Sequence, residues 1–354
     1  MWPLPPGIRP KANEMDFYIE IGTVNKAKND IDKIVRQLGY RNLARHDYGS
    51  GGVGRFLTKL SGVAHVLTAM NSGDVLFLQY PMKKFYRMAT VLAHWKGARV
   101  VTVIHDLGAF RRHKLTPEQE NRRLDRTDFI ICHNDTMAGY LREHGYKGGL
   151  HSLEIFDYLG AGADDVSNAK ALDVSSRQPF SVVYAGNLGV WRNEFLYHLK
   201  GVVNNWTLNL YGNGFDNSRN DCGKLVYHGF IDSDKFISSV KADFGLVWDG
   251  SSVDECDGAW GEYLKINNPH KTSFYLRAGM PVIVWSKAAM APFVRKYGVG
   301  IVIDSIRDID RRIGEISSDD YGKMKANAGE MSKKLGAGYF TRMALEAAHD
   351  YLGQ

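Results

Sequence analysis

The sequence predicts an α/β protein made of two successive doubly wound domains, each a parallel sheet with helices on both faces. Three observations lead to this fold class. Short, almost continuously apolar segments alternate with longer amphipathic ones, as expected for buried parallel strands separated by helices. The alternation stops over residues 161–179, which are rich in small and polar residues, and then resumes. The length of 354 residues suffices for two domains with a core each.

The first domain is predicted over residues 11–160. Its strands are the β-branched or apolar segments 16–22, 74–79, 99–105 and 128–132. Its most clearly patterned helices are 26–38 and 136–144, where apolar residues recur at helical spacing. Residues 161–179 are interpreted as the interdomain linker.

The second domain is predicted over residues 180–336, where the alternation begins again. Its strands are predicted at 180–185, 206–211, 224–228, 243–248, 280–284 and 299–303. Its helices are predicted at 192–203, 232–240, 269–278 and 288–295, followed by helical segments at 317–335 and 337–352. The last helix, within 337–354, is expected to pack back on the first domain. Two such domains facing each other would form a cleft at the carboxyl ends of their strands, where α/β sheets bind ligands.

Composition excludes several classes of protein. With 44% hydrophobic and 24% charged residues, the chain is neither disordered, collagen-like nor a disulfide scaffold. Its three cysteines lack the spacing of a zinc site, and we expect a reducing, cytoplasmic environment. No stretch of about 18 apolar residues predicts a membrane span, and the first residues do not resemble a signal peptide.

The positive charge is concentrated in the first domain. Residues 1–160 carry 23 Lys and Arg against 16 Asp and Glu, whereas the remainder is nearly neutral. The basic residues cluster at 83–87, 111–114 and 122–126. Such clusters attract phosphate groups, so contact with an anionic membrane surface or a lipid-diphosphate-linked substrate is a prediction, with a simple solvated face as the alternative. No nucleic-acid-binding motif is present, and a nucleic-acid partner is not expected.

The string GSGGVG at 49–54 satisfies the G-x-G-x-x-G pattern of dinucleotide-binding proteins. That fingerprint closes the first strand of a βαβ unit, whereas here an earlier strand and helix precede it. We therefore favour a flexible loop at the cleft over a nicotinamide cofactor site.

Two glycine turns follow consecutive strands of the second domain, at 186–189 and 212–214. Glycine at the carboxyl end of a strand lets the backbone approach a ligand closely, and Asn187 could donate a hydrogen bond there. Arg192, at the start of the next predicted helix, could share a phosphate with that turn. Ordinary βα turns are the alternative for each alone, but together they favour an anionic ligand.

The segment 249–278 holds the highest density of candidate functional side chains. It is predicted to begin as a polar loop and to end in a helix in which Pro269 occupies the first turn and Asn268 is the cap. Lys271 would then lie at the positive helix terminus, where a diphosphate gains free amides and a cation. A metal site made of Asp254, Glu255 and Asp257 is the less favoured alternative, because adjacent acidic residues on a loop rarely converge.

His105 and Asp106 end the strand at 99–105 and are the candidate catalytic residues. A carboxylate or an imidazole at the end of a rigid strand could act as general base on a hydroxyl group. The alternative is that Asp106 only caps the following loop.

Several strings together resemble a known family, the bacterial β-1,6-galactofuranosyltransferases. That family belongs to a wider group that includes the glucosyltransferases extending the glycan on serine-rich streptococcal adhesins. The strings are NKA at 25–27, IFDY at 155–158, AGNL at 185–188, LYGN at 210–213, FGLVWD at 244–249, GEYLKINNPHK at 261–271 and PVIVWSK at 281–287. The resemblance implies a two-domain GT-B fold, a nucleotide-sugar donor held by the C-terminal domain, an acceptor met by the N-terminal domain, and no required metal or cofactor.

The resemblance also implies roles for individual residues. Tyr211 and the loop beginning at Asp249 would flank the nucleotide or sugar, and Glu262 would reach the sugar hydroxyls. The residues that would hold the diphosphate are Asn187, Arg192, Asn268 and Lys271. The residues that would face the acceptor are Thr23, Asn25, His105 and Asp106.

One departure from the retaining GT-B pattern concerns the stereochemistry. Phe274 stands at the approximate place where retaining members carry an acidic residue, which indicates an inverting enzyme with its own base. The resulting hypothesis is an inverting glycosyltransferase that uses UDP-galactofuranose for a cell-surface or capsular glycan, cytoplasmic or peripheral on the membrane, and either monomeric or a homo-oligomer. Transfer of glucose to a protein-linked glycan, a nucleotide-sugar 2-epimerase and a non-catalytic partner subunit remain alternatives.

Overall fold

The computed structural model describes residues 15–20, 23, 25–45, 48–49, 51–82, 84–111, 115–160 and 179–353. The predicted linker lies outside the described residues apart from its last position, as do Lys83 and residues 112–114 of the basic clusters. The chain divides into two compact units. The first ends at Asp157 and resumes at Gly338, and the second is Tyr158–Ala337.

The first unit contains a six-stranded, fully parallel sheet with the strand order β2-β1-β3-β4-β5-β6. Its strands are β1 (Asp16–Tyr18), β2 (Arg41–Asn42), β3 (Val75–Tyr80), β4 (Arg99–Ile104), β5 (Phe129–Cys132) and β6 (Gly149–Ser152). Its helices are α1 (Lys26–Gln37), α2 (Gly52–Ala69), α3 (Lys84–Trp95), α4 (Gly108–Arg111), α5 (Pro117–Leu124), α6 (Asp135–Glu143) and, from the end of the chain, α14 (Tyr339–Leu352).

Local chemistry explains where these elements begin and how the last helix is held. Every residue of β3 is buried, as its apolar sequence predicts for a central strand. The side chain of Asn134 caps α6 by accepting a hydrogen bond from the Met137 amide. The helix α14 packs on β5, β6 and α1. The carboxylate of Asp157 accepts hydrogen bonds from the first amides of α14, at 2.7 Å from the Thr341 nitrogen.

The second unit contains another six-stranded parallel sheet, ordered β12-β11-β10-β7-β8-β9, which is the Rossmann strand order. Its strands are β7 (Phe180–Asn187), β8 (Trp206–Asn213), β9 (Leu225–Tyr227), β10 (Phe244–Val247), β11 (Val282–Trp285) and β12 (Gly300–Ile303). Its helices are α7 (Val190–Asn193), α8 (Ser233–Ser239), α9 (Gly258–Leu264), α10 (His270–Arg277), α11 (Ala291–Tyr297), α12 (Ile309–Gly314) and α13 (Ser318–Gly336), with short 3-10 turns at Glu194–Tyr197, Asn217–Arg219 and Ile306–Asp308.

The strand order determines where ligands can bind. In this second sheet the chain direction of the crossovers reverses between β7 and β10, which pair with each other in parallel. Ligands in such sheets bind outside the carboxyl ends of the strands near that reversal. The turns after β7 and β10 are therefore the natural place for a site.

Two local predictions are wrong. The helix predicted over 192–203 is reduced to the single turn α7, because the backbone there forms hydrogen bonds with the loop after β10. The Gly250 amide donates to the Arg192 carbonyl, and the Phe195 amide donates to the Gly250 carbonyl at 3.3 Å. Pro269 itself occupies the N-cap position of α10, so Asn268 is not the cap.

A further helix, α9, lies inside the segment predicted to be a polar loop. Its sequence holds Gly261, for which a Cβ atom would lie 2.4 Å from the backbone of Cys256. The glycine is needed for close packing although it weakens the helical pattern. Among the described residues, no helix combines the length and apolarity required to cross a bilayer.

Candidate functional site

The carboxyl ends of β7 and β8 approach each other so closely that a side chain is excluded between them. Gly212 has a φ of +144°, and a Cβ atom there would lie 1.8 Å from the carbonyl oxygen of Gly186. Gly186 has a φ of +123° and packs beside the side chain of Lys271. The glycine turns therefore bring two strand ends and the first turn of α10 together.

A pocket of about 550 Å³ opens beside these turns within the second unit. One part of its wall is aromatic, and ring contacts run from Tyr211 through Phe236 and Phe274 to Tyr158. The other part is polar and includes Lys271 and the turns after β7 and β8. The site residues that were predicted from the sequence and line this pocket are Asn187, Tyr211 and Lys271.

An ion cluster lies next to this pocket. The guanidinium of Arg192 makes two hydrogen bonds of 2.8 Å to the carboxylate of Asp249, which is almost fully buried. The Lys271 Nζ atom lies 3.4 Å from Asp249 Oδ1 and donates to the Tyr184 hydroxyl at 2.5 Å. The cluster therefore places one carboxylate between two cations, and Asp249 acts as their shared counter-ion.

The charges within the cluster shift the pKa values of its members. Burial lowers the pKa of Lys271 to about 8, against the attraction of Asp249. Burial alone would raise the pKa of Asp249, but the charges and hydrogen bonds of Lys271 and Arg192 outweigh it and hold the pKa below its usual value. Near neutral pH the cluster carries a net positive charge, as an anion-binding site requires.

The structure places Arg192 and the remaining predicted residues of this unit in different surroundings. The Arg192 guanidinium stacks on Trp260, 4.1 Å from the ring centroid. Glu262 is exposed on α9, where it pairs with Lys265 at 2.7 Å, and Asn268 is buried before α10. Neither Glu262 nor Asn268 lines the 550 Å³ pocket.

The acidic residues of the loop before α9 point in different directions. Asp254 pairs with Arg307 at 2.8 Å, and Glu255 lies 3.7 Å from Lys287. Asp257 accepts hydrogen bonds from Ser251. Each carboxylate is therefore engaged with a different neighbour.

In the first unit, a chain of hydrogen bonds runs across the carboxyl ends of β3 and β4. Gln79, at the end of β3, donates to Asp32 of α1 at 2.6 Å, and its Oε1 atom lies 2.6 Å from Nε2 of His105. Because the Gln79 amide nitrogen donates to Asp32 and to the Lys28 carbonyl, the amide oxygen faces His105 and places a proton on Nε2. The His105 ring also stacks on Phe156 at 5.3 Å.

The side chains around these hydrogen bonds carry charged groups that are partly or fully buried. Burial raises the pKa of Asp32 to about 7, and the nearby Glu20 acts in the same direction. Burial lowers the pKa of Lys28 to about 8, opposed by the charges of Asp32 and Asp106. Two ionisable groups thus titrate near neutrality beside His105 and Asp106, as is common at catalytic sites.

Thr23 and Asn25 lie at the start of α1 in the same unit. The Asn25 side chain accepts a hydrogen bond from the Lys28 amide, and the Thr23 hydroxyl accepts one from the Asn25 amide at 3.1 Å. Through Lys28, this helix start is electrostatically coupled to Asp106. The structure therefore brings the predicted acceptor-side residues and the candidate bases to one end of the first sheet.

Sequence reasoning missed three residues of these sites. Gln79 is the one polar residue in the apolar strand VLFLQY, and Asp32 lies on the buried face of α1. Tyr184 is a buried residue of β7, and its hydroxyl group contacts Asn193, Asp249 and the Trp248 carbonyl. A polar group inside an apolar strand was the signal available for Gln79 and Tyr184, whereas Asp32 lies in a helix with a polar sequence and gave no such signal.

The glycine string at 49–54 belongs to neither site. Gly52 and Gly54 lie in the first turn of α2 and not in a loop. The string follows β2, an edge strand, and not the first strand of the sheet. It therefore lacks the context of a dinucleotide fingerprint.

Comparisons with known proteins agree with this architecture. The family model described as glucosyltransferase 3-like, N-terminal domain, matches residues 19–155, and the corresponding C-terminal domain model matches residues 182–348. The β-1,6-galactofuranosyltransferase WbbI of Escherichia coli K12 is 32% identical over 85% of this chain and 87% of its own. Glucosyltransferase 3 of Streptococcus gordonii is 24% identical over 95% of this chain and 97% of its own.

Solved structures share the fold at low identity. HepE of Anabaena, crystallised in complex with UDP, has a TM-score of 0.56 and 14% identity, with 96% of this chain and 99% of that one covered. The DNA-modifying β-glucosyltransferase has a TM-score of 0.51 and 10% identity, with 96% and 100% covered. The predicted fold class is thereby confirmed, and the chain belongs to the glucosyltransferase 3-like family of GT-B glycosyltransferases, together with WbbI and the streptococcal glucosyltransferase 3 enzymes.

Proposed function

We propose that this glycosyltransferase moves galactofuranose from UDP to a hydroxyl group of a glycan acceptor, with inversion, during the synthesis of a cell-surface or capsular polysaccharide. The donor sugar is inferred from WbbI, which is 32% identical, whereas the two streptococcal glucosyltransferases are 24% and 26% identical. UDP as the nucleotide is supported by the complex of HepE with UDP. The single observation that carries the proposal is Lys271, whose side chain is 13% exposed, in a pocket formed by glycine turns and a helix start.

The pocket offers separate environments for the two parts of UDP. The first-turn amides of α10 and the Lys271 ammonium suit the diphosphate. The aromatic wall containing Tyr211 and Phe236 suits the uracil ring. Asn187, whose Oδ1 atom accepts from the Gly189 amide, can direct its side-chain amide donors toward the phosphates.

The transfer step is a single displacement at the anomeric carbon. The acceptor oxygen forms the new glycosidic bond while the bond between the anomeric carbon and the phosphate oxygen breaks, and UDP leaves with the bonding electrons. Lys271 and the α10 amides stabilise the charge that develops on the diphosphate, so we expect no metal to be required. The acceptor proton passes to a base of the first unit.

For that base we favour His105 over Asp106. The hydrogen bond to Gln79 places a proton on His105 Nε2, which makes Nδ1 the basic nitrogen. The buried carboxylate of Asp32, acting through Gln79, favours the imidazolium that forms after proton transfer. Asp106 would then raise the pKa of Lys28 through its negative charge and orient the acceptor.

Inversion is supported by the aromatic character of the pocket wall near α10. Phe274, which stands where retaining GT-B enzymes carry an acidic residue, packs on Phe236 at 4.6 Å and on Tyr158 at 5.7 Å. The position supplies no carboxylate to the donor sugar. Inversion of an α-linked UDP-galactofuranose would give a β-galactofuranoside, the linkage in the name of WbbI.

Transfer of glucose to a protein-linked glycan is the second candidate, since both matched domain models carry the glucosyltransferase 3-like description. The test is a transfer assay with p-nitrophenyl hexosides as acceptors and EDTA present. UDP-glucose, UDP-galactose, and UDP-galactose with UDP-galactopyranose mutase are compared. The proposal predicts a β-linked product, identified by NMR, in the mutase arm alone. Product from UDP-glucose without the mutase would instead establish the glucosyltransferase, and a requirement for added divalent metal would contradict the proposed leaving-group stabilisation.

A further inference from the structure

The outward face of α2 is apolar, although it lies at the surface of the first unit. Val53, Phe56, Leu57 and Leu60 stand at positions i, i+3, i+4 and i+7 of the helix and therefore share one side of it. All four are exposed, and 75% of the Val53 surface is accessible. A helix in a globular protein normally turns such a stripe toward the core.

The neighbouring helix α3 repeats this arrangement. Met88, Val91 and Trp95 lie along its exposed side, and Trp95 is 76% exposed. The two helices pack against each other, and the rings of Phe56 and Phe85 meet at 5.3 Å. The seven exposed apolar side chains of α2 and α3 are called the apolar face below, and an exposed patch of this kind marks an interaction surface.

A basic groove of about 890 Å³ lies beside the apolar face, between α3 and α5. It is lined by Lys84, Arg87, Arg122, Arg123 and Arg126. Within the part of the chain that the structure describes, none of these five cations lies within 4.0 Å of a carboxylate. The Lys84 ammonium sits 4.9 Å above the Phe56 ring, so the groove and the apolar face are continuous.

We propose that the apolar face and the basic groove together dock the protein on an anionic phospholipid membrane. The apolar side chains would enter the boundary between headgroups and acyl chains, and the groove would bind lipid phosphates. Peripheral proteins achieve stable attachment by combining these two signals, because either alone is weak. This inference goes beyond the proposed function, since it concerns the surface on which the acceptor is met and not the transfer itself.

Charge complementarity selects the membrane over other occupants. A second copy of this chain seated on the apolar face offers the same five cations at its own groove and no anionic group to neutralise them. A nucleic acid would use the groove but leave the apolar face exposed to water. An anionic bilayer is the partner that complements both features.

The experiment is flotation of the full chain with vesicles of phosphatidylcholine, with and without phosphatidylglycerol. We expect binding only to the anionic vesicles, and weaker binding in high salt because the electrostatic attraction is screened. Inorganic phosphate at low millimolar concentration should not release the protein if lipid headgroups in a bilayer are the ligand. Release by phosphate, or equal binding to both vesicles, would overturn the proposal.

Two variants test the two features separately. The triple change Arg122→Gln, Arg123→Gln and Arg126→Gln should reduce vesicle binding at least tenfold, and so should Trp95→Ser combined with Val53→Ser. A triple change of the exposed Lys33, Arg41 and Lys147 to Gln removes the same charge from the same unit and should bind like the wild type.

Further measurements decide between the occupants. Sedimentation should give a mass that Trp95→Ser leaves unchanged, whereas an oligomer dissociated by that change would replace the membrane with a second copy. Tight binding of single-stranded RNA to the groove would likewise contradict the proposal. Transfer to a soluble acceptor should remain at the wild-type rate in Trp95→Ser, so failure of membrane docking and failure of the proposed transfer are distinguishable.

Discussion

Replacement of Lys271 by methionine tests the donor pocket most sharply. The methionine keeps the length of the side chain over the Tyr184 ring, 3.7 Å from the Lys271 Nζ atom, but removes the charge. Asp249 keeps its two hydrogen bonds to Arg192, so the carboxylate stays paired. Because burial lowers the pKa of Lys271, its charged form costs folding free energy below about pH 8, and removing the charge should not unfold the protein.

The expected effect on UDP affinity follows from the contact that is lost. A hydrogen bond to a charged group contributes about 1.5–3 kcal/mol, which corresponds to an increase of Kd by a factor of roughly 10 to 150. Calorimetric titration with UDP in EDTA measures it. The matched control is Lys200→Ala, which removes an exposed lysine of the same unit that pairs with Asp221 and should leave Kd unchanged.

The pH dependence provides a second readout of the same residue. With a pKa of about 8 in the free protein, Lys271 must take up a proton to bind UDP above that pH. Wild-type affinity should therefore fall by up to tenfold per pH unit above pH 8, while the methionine variant should be flat from pH 7 to 9.5. Equal Kd values in the two proteins, or a flat wild-type profile, would refute the placement of the diphosphate.

Three other changes give distinct outcomes. Gln79→Leu should lower kcat by about 10²-fold or more without changing the Kd of UDP, since it disconnects the proposed base from Asp32. Steady-state kinetics measure this effect, and an unchanged kcat would place the base elsewhere. Gly212→Ala should lower the free energy of unfolding, measured in urea, by about 1–3 kcal/mol or more, because of the left-handed φ and the adjacent carbonyl oxygen. Gly223→Ala should be nearly neutral, because a Cβ atom at that position has no neighbouring atom within 4 Å. Asp249→Asn should lower the melting temperature, with a loss of about 3 kcal/mol, because it leaves Arg192 and Lys271, whose side chains are only 20% and 13% exposed, without their carboxylate.

The sheets were predictable because their central strands are buried on both faces. The segments VLFLQY and RVVTVI are almost continuously apolar, and they form β3 and β4 within one residue of the predicted ends. The wrong helix at 192–203 has a tertiary cause. Its amphipathic pattern was real, but the backbone bonds to the loop after β10, which a local pattern does not reveal.

The site was predictable where a residue type and a local motif coincide. Lys271 follows a proline at a helix start, and Asn187 follows a glycine at a strand end, so both could be found from sequence alone. The counter-ion role of Asp249 and the link from Asp32 through Gln79 to His105 depend on residues 22 to 57 positions apart. Such contacts arise only when the strands and helices are assembled.

The proposed transfer requires UDP to occupy the pocket formed by the turns after β7 and β8 and the first turn of α10. A crystal structure of the full chain with UDP, grown in EDTA, would show whether it does. We expect the diphosphate to lie against the amides of His270 and Lys271, with the uracil ring near Tyr211 and Phe236. Nucleotide bound elsewhere, for example in the basic groove between α3 and α5, would contradict it.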